Sequence, residues 1–127
     1  AASTAQCSGE DCTGREVAEV GCDKLATSVI ERHVTAGPAS GILALRMAHP
    51  PTCPDVFWAR FIPDPTNTGA FDLSLMRDGT LSFSQASDPA DPTITAWTVG
   101  IYGPDEIRLE ACVRSGGEEQ CLTNGLA

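Results

Sequence analysis

Residues 70–85 read AFDLSLMRDGTLSFSQ, and this stretch decides the fold class. Phe71, Leu73 and Leu75 fall on one side of a period-2 pattern, with Asp72 and Ser74 on the other; Leu81 and Phe83 then alternate with Ser82 and Ser84. Successive side chains of an extended chain point to opposite faces, so such alternation marks a strand with one dry face and one wet face. Asp78-Gly79 stands between the two runs. A type I′ turn needs positive φ at both central residues, which Asp tolerates and Gly adopts freely, so the pair predicts a tight hairpin.

The same period recurs along the chain. Leu43, Leu45 and Met47 alternate in GILALRM, Trp97, Val99 and Ile101 in TAWTVGIY, and Ile107, Leu109, Ala111 and Val113 in IRLEACV. Residues 27–35, TSVIERHVT, are rich in β-branched side chains and are read as a further strand, although a short helix begun at Cys22 could run into them. Turn-forming clusters separate the runs: AGPASG, HPPTCP, IPDPTNTG, SDPADP, YGPDE and SGGEEQ. Six or seven short strands at this spacing predict an all-β fold, a mainly antiparallel small barrel or sandwich. Residues 1–23 are a polar arm whose few apolar side chains bury too little to order it, so crosslinks or a partner must hold it down. We expect one domain over 1–127, with this N-terminal arm stapled by disulfides to a β core at 24–127.

Six cysteines, an even number with no CxxC pair, fit an oxidising compartment, and the opening AASTAQC reads as the remainder left when a signal peptide is cut behind small residues. Secretion is the expected localisation. A net charge of -9 repels nucleic-acid phosphates and anionic lipid, and no apolar run reaches the roughly 20 residues that a membrane helix needs, so neither nucleic acid nor a membrane is expected as a partner.

Cysteines can ligate metal, attack a substrate or crosslink. Zinc sites bring ligands in close pairs, whereas the closest cysteines are Cys7 and Cys12, and His33 and His49 stand alone. A catalytic thiol needs a neighbour that stabilises the thiolate, and His49 before Cys53 is separated from it by two prolines. Crosslinking is therefore expected. Cys112 shares a strand face with Arg108, Glu110 and Arg114, so it points away from the core towards the return that carries Cys121; Cys7 and Cys12 suit a local loop, which leaves Cys22 for Cys53. Locality does not decide among the fifteen possible connectivities.

The order CSGEDCTG, then Gly21-Cys22, then proline-flanked Cys53 followed by Trp58-Ala59-Arg60, then Cys112 and Cys121, resembles a family of small exported actinobacterial, Streptomyces-type, cysteine-rich proteins with no settled activity. The family pattern is a C-x-G-x-x-C-x-G start, a Gly-Cys, an S-P-x-C with A-W-A-R shortly after, and a closing cysteine pair. This chain departs in having Pro-Thr before Cys53 and an enlarged segment from Pro63 to Pro92. The resemblance implies secretion, a disulfide-stapled β fold and the pairs Cys7–Cys12, Cys22–Cys53 and Cys112–Cys121. It implies no reaction.

No residue set carries an evident chemistry. There is no G-x-S-x-G elbow, and Ser40 in PASG reads as a turn residue. Asp88 with Asp91, and Glu118 with Glu119, could bind calcium or serve as acid and base, but read more simply as solvated loop charge. Trp58 and Trp97 are expected to pack in or against the core. We expect no catalytic residue, no metal and no cofactor. The leading expectation is a non-catalytic secreted interaction module, an adaptor or subunit of an exported multiprotein assembly whose partner is another secreted protein. A second is a secreted protease inhibitor presenting a disulfide-anchored loop around Met47 to Cys53, with Arg46, Met47, His49, Pro50 and Pro51 as the interaction residues. A third is an enzyme of unrecognised type, which requires a pocket holding His33 or His49 beside a carboxylate.

Overall fold

The computed structural model describes residues 7, 9–49, 53–104 and 107–124. Among them the strands are β1 (Thr27–Ala36), β2 (Ala39–Met47), β3 (Val56–Pro63), β4 (Asp72–Arg77), β5 (Thr80–Ala86), β6 (Ala96–Trp97), β7 (Ile101–Tyr102), β8 (Leu109–Ser115) and β9 (Glu118–Thr123). They form two antiparallel sheets rather than a closed barrel. The first runs β1-β2-β3-β6, with β7 also on β3; the second runs β5-β4-β8-β9. Residues 27–35 are strand, not helix.

Turn chemistry sets the hairpins. Asp78 and Gly79 have φ of 54° and 81°, the left-handed pair that a two-residue I′ connection needs, and Gly116 and Gly117 repeat the arrangement between β8 and β9 at 58° and 83°. Alternation then sets the core. Leu43, Leu45, Ala59 and Phe61 of the first sheet face Leu73, Leu75, Ala111 and Val113 of the second, all of them buried, and the Phe61 and Phe71 rings meet edge to face with centroids 4.7 Å apart.

Two expectations of alternation need correction. Between β4 and β5 the register runs Leu75↔Phe83 and then Met76↔Leu81, so Ser82 is an extra residue in β5. One extra residue reverses the phase of everything beyond it. Leu81 therefore shares a face with Met76 instead of Leu75, and is 61% exposed. TAWTVGIY is likewise not one strand. Gly100 turns away from β3: its N–H donates to the Arg15 carbonyl at 2.9 Å, and its own carbonyl accepts from the Gly14 N–H at 2.9 Å. This exchange with the arm leaves β6 and β7 as separate two-residue strands and turns Trp97 out of the core, 41% exposed.

The arm lies on the outer face of the first sheet, over the opposite side of β3 from Phe61. A short 3-10 helix (Gly9–Cys12) opens it, and Val17, Val20, Cys12 and Cys22 bury against Ala48, Cys53, Val56 and Trp58 in a second apolar cluster. Trp58 is thus buried under the arm, one residue out of phase with the main core. Disulfides join Cys7 to Cys12, Cys22 to Cys53 and Cys112 to Cys121, the same three pairs expected from the sequence, and no described cysteine is free. Arg77 adds a polar tie, its guanidinium donating to Glu10 at 3.0 Å and to the Tyr102 carbonyl at 2.8 Å. Three disulfides fit an oxidising environment, and no helix among the described residues is long and apolar enough to cross a membrane.

Candidate interaction surface

The loop expected around Met47 is not a free loop. Arg46 and Met47 end a central strand: Arg46 pairs with Ser28 on one side and Trp58 on the other, and Met47 with Thr27 and Phe57. Backbone groups bonded on both sides cannot be offered to a protease cleft as an extended strand. Arg46 is engaged as well, donating to the Ser28 hydroxyl at 2.9 Å and the Ala26 carbonyl at 3.2 Å. His49 is half-buried and its carbonyl caps the Cys53 N–H at 3.1 Å. Pro50 and Pro51, and the N-terminal AASTAQ, lie outside the described residues.

His33 is not isolated in space. Its Nε2 lies 3.0 Å from Asp64 Oδ2, and Ser40 Oγ donates to the same oxygen at 2.8 Å. Cross-strand register explains the cluster: β1 and β2 place His33 and Ser40 on one outer face, and Asp64 follows directly on β3. The Ser40 hydroxyl first, and His33 second, hold the Asp64 carboxyl below its ordinary range. A nucleophilic triad needs the carboxylate on one ring nitrogen and the serine on the other. Here Ser40 and Asp64 both face Nε2, with Ser40 Oγ 3.5 Å away, and the His33 side chain is 55% exposed. The arrangement ties β1, β2 and the residue that follows β3 together at the surface and does not match that triad geometry.

Asp88 accepts from the Ala90 N–H at 2.7 Å, and Asp91 accepts from the Thr93 N–H at 3.0 Å and its hydroxyl, which holds the Asp91 carboxyl low. Glu118 and Glu119 are exposed in β9. Cys7, Cys22 and Cys53 bring sulfurs within 4.8 Å of one another, as do Cys112 and Cys121 with a Glu119 oxygen, but the sulfurs are held in disulfides and offer no thiolate.

What the sequence did not reveal is a groove. On one side of the sandwich β1 and β9 pack against each other; on the other, the mouth between β5 and β6 stays open. A groove of about 750 Å³ fills it, floored by Ala86, Ser87 and Ala96, walled by Ile94 and Trp97, and rimmed by Glu16, Glu19 and Asp88. Trp97 is held upright by its Nε1–H, which donates to Glu16 Oε1 at 2.8 Å. Behind it lies a smaller cavity of about 250 Å³ shared by Arg46, Arg60, Asp23 and Trp58. Arg60 donates to Glu31 at 3.2 Å, and its Nε is buried with no partner among the described residues. Burial, and then the charge of Arg46, lower its affinity for a proton. No single stretch carries the groove, because its walls come from the arm, the end of β5 and the segment before β6. Comparison of the chain with family models, curated proteins and solved structures finds no match.

Proposed function

We propose that the protein is a non-catalytic secreted interaction module, an adaptor or subunit of an exported multiprotein assembly, which receives another secreted protein in the groove beside Trp97. The observation that carries this reading is the groove itself. It presents an indole, the one exposed Phe, Tyr or Trp side chain among the described residues, and Ile94, 48% exposed, within an acidic rim. Aromatic anchors surrounded by polar groups are where binding energy concentrates in interfaces. The three disulfides and the resemblance to small exported cysteine-rich proteins support secretion.

The test is affinity capture from culture supernatant with immobilised wild-type protein and Trp97→Ala side by side, followed by reconstitution from purified components. A secreted protein held by the wild type, and bound at least about tenfold more weakly by the variant, supports the reading. A supernatant with no such protein, or a partner indifferent to Trp97, rejects it.

A further inference from the structure

Among the described residues the sheets leave three long edge strands, β1, β5 and β9, and they are not equally protected. Exposed edges invite pairing by another chain, and proteins blunt them with charges, prolines or cover. β1 carries Glu31, Arg32 and His33, and β9 carries Glu118, Glu119 and a disulfide. β5 reads TLSFSQA, without a charge or a proline, and its C-terminal end forms part of the groove.

Hydrogen bonding fixes which of its backbone groups are on offer. The Ser87 N–H donates to the Phe71 carbonyl at 2.8 Å. Backbone groups alternate between inward and outward along an antiparallel strand. Counting back from Ser87 through the regular register, Gln85 and Phe83 turn theirs towards β4, while Ser84 and Ala86 turn theirs outward. Among the described residues the outward Ala86 carbonyl accepts a hydrogen bond only from the neighbouring Gln85 side-chain amide, at 3.3 Å, which an incoming donor can displace.

We propose that β5 receives an extended basic peptide segment as an added strand, paired to the outward groups of Ser84 and Ala86, with a cationic side chain in the groove among Glu16, Glu19 and Asp88. This rests on the interaction reading above and supplies its ligand class. Charge complementarity selects the occupant: three carboxylates rim the groove and the whole chain carries a net charge of -9. Antiparallel addition continues the sheet. It places the N-terminal part of the peptide at the Ala86 end, so the cation belongs before the strand-forming run.

The probe is a short synthetic peptide alternating threonine and valine and opening with lysines, its binding followed by fluorescence anisotropy. A version opening with glutamates is expected to bind at least about tenfold more weakly, with the gap closing as salt rises. Ala86→Pro and Ser84→Pro remove outward donors without touching the β4 ladder, and each is expected to weaken binding roughly threefold to tenfold. Wild-type protein supplies an arm that depends on no variant. N-methylation of alternate peptide nitrogens in one phase is expected to abolish binding, and in the other phase to leave it within about twofold. Equal sensitivity to both phases, no sensitivity to either, or no binding of the lysine peptide overturns strand addition. A secreted partner lost with Trp97→Ala would still sustain the interaction reading. Self-association lost with Ala86→Pro would make the occupant a second copy of this chain and overturn the basic-peptide assignment.

Discussion

Replacing Cys22 and Cys53 together by alanine isolates the crosslink that joins the arm to the body without leaving a free thiol. The bridge spans 31 residues of sequence. Closing a loop of that length removes about 12 cal/mol/K from the unfolded chain, or roughly 4 kcal/mol at 25 °C. That is a large share of the 5–15 kcal/mol typical of a folded domain. At about 2.1 cal/mol/K per residue over 127 residues, the unfolding entropy is about 0.27 kcal/mol/K, and the expected fall in Tm is about 14 °C. Calorimetry measures it. Limited trypsin digestion at Arg15 and Lys24 adds a local readout, because apolar packing of Val17 and Val20 on Trp58 and the hydrogen bonds to Gly100, Arg77 and Trp97 must then hold the arm without a crosslink to the body. A variant that melts within about 3 °C of wild type, with unchanged digestion at those sites, would refute the claim that this disulfide anchors the arm.

Three further outcomes follow from the packing and the charge. Phe61→Ala removes a fully buried ring from the centre of the main core and is expected to cost about 3–5 kcal/mol in chemical denaturation. Leu75→Ala should cost about 2–5 kcal/mol, whereas Leu81→Ala, at an exposed position, should stay within about 0.5 kcal/mol of wild type; equal losses would contradict the bulge at Ser82. Asp64 binds its proton more weakly in the folded state than in the unfolded chain, so its stabilising contribution is present above the ordinary carboxylate value of about 4 and is lost as pH falls through the depressed value. Asp64→Asn should remove that part of the acid dependence, and an NMR titration placing the Asp64 carboxyl at or above the ordinary value would contradict the contacts with Ser40 and His33.

Alternation and turn chemistry made the sheets legible, because both are local. Asp78-Gly79 can connect two strands in few ways, and Phe71, Leu73 and Leu75 can face only one core. What was not legible came from contacts between distant segments. Ser82 carries no mark that it will be the extra residue, since the bulge is a property of its pairing with β4. Trp97 reads as a core residue until Gly100 donates its N–H to Arg15 and accepts from the Gly14 N–H. The groove followed from the second, because a tryptophan turned out of the core stands beside the end of β5, an edge strand with no hydrogen-bonded neighbour on its outer side among the described residues. His33 and Ser40, seven residues apart, became neighbours of Asp64 only through the register of three strands.

The crowding of Cys7, Cys22 and Cys53 bears on how the molecule is made. Their sulfurs lie within 4.8 Å of one another, so a thiolate released at Cys7 already faces the disulfide that anchors the arm. Attack on it would join Cys7 to one of the two sulfurs and release the other as a thiolate. The proximity predicts that the two N-terminal bridges exchange with each other during oxidation. Peptide mapping after brief, mild reduction should recover Cys7 joined to Cys22 or Cys53, while Cys112–Cys121 takes no part in the shuffling.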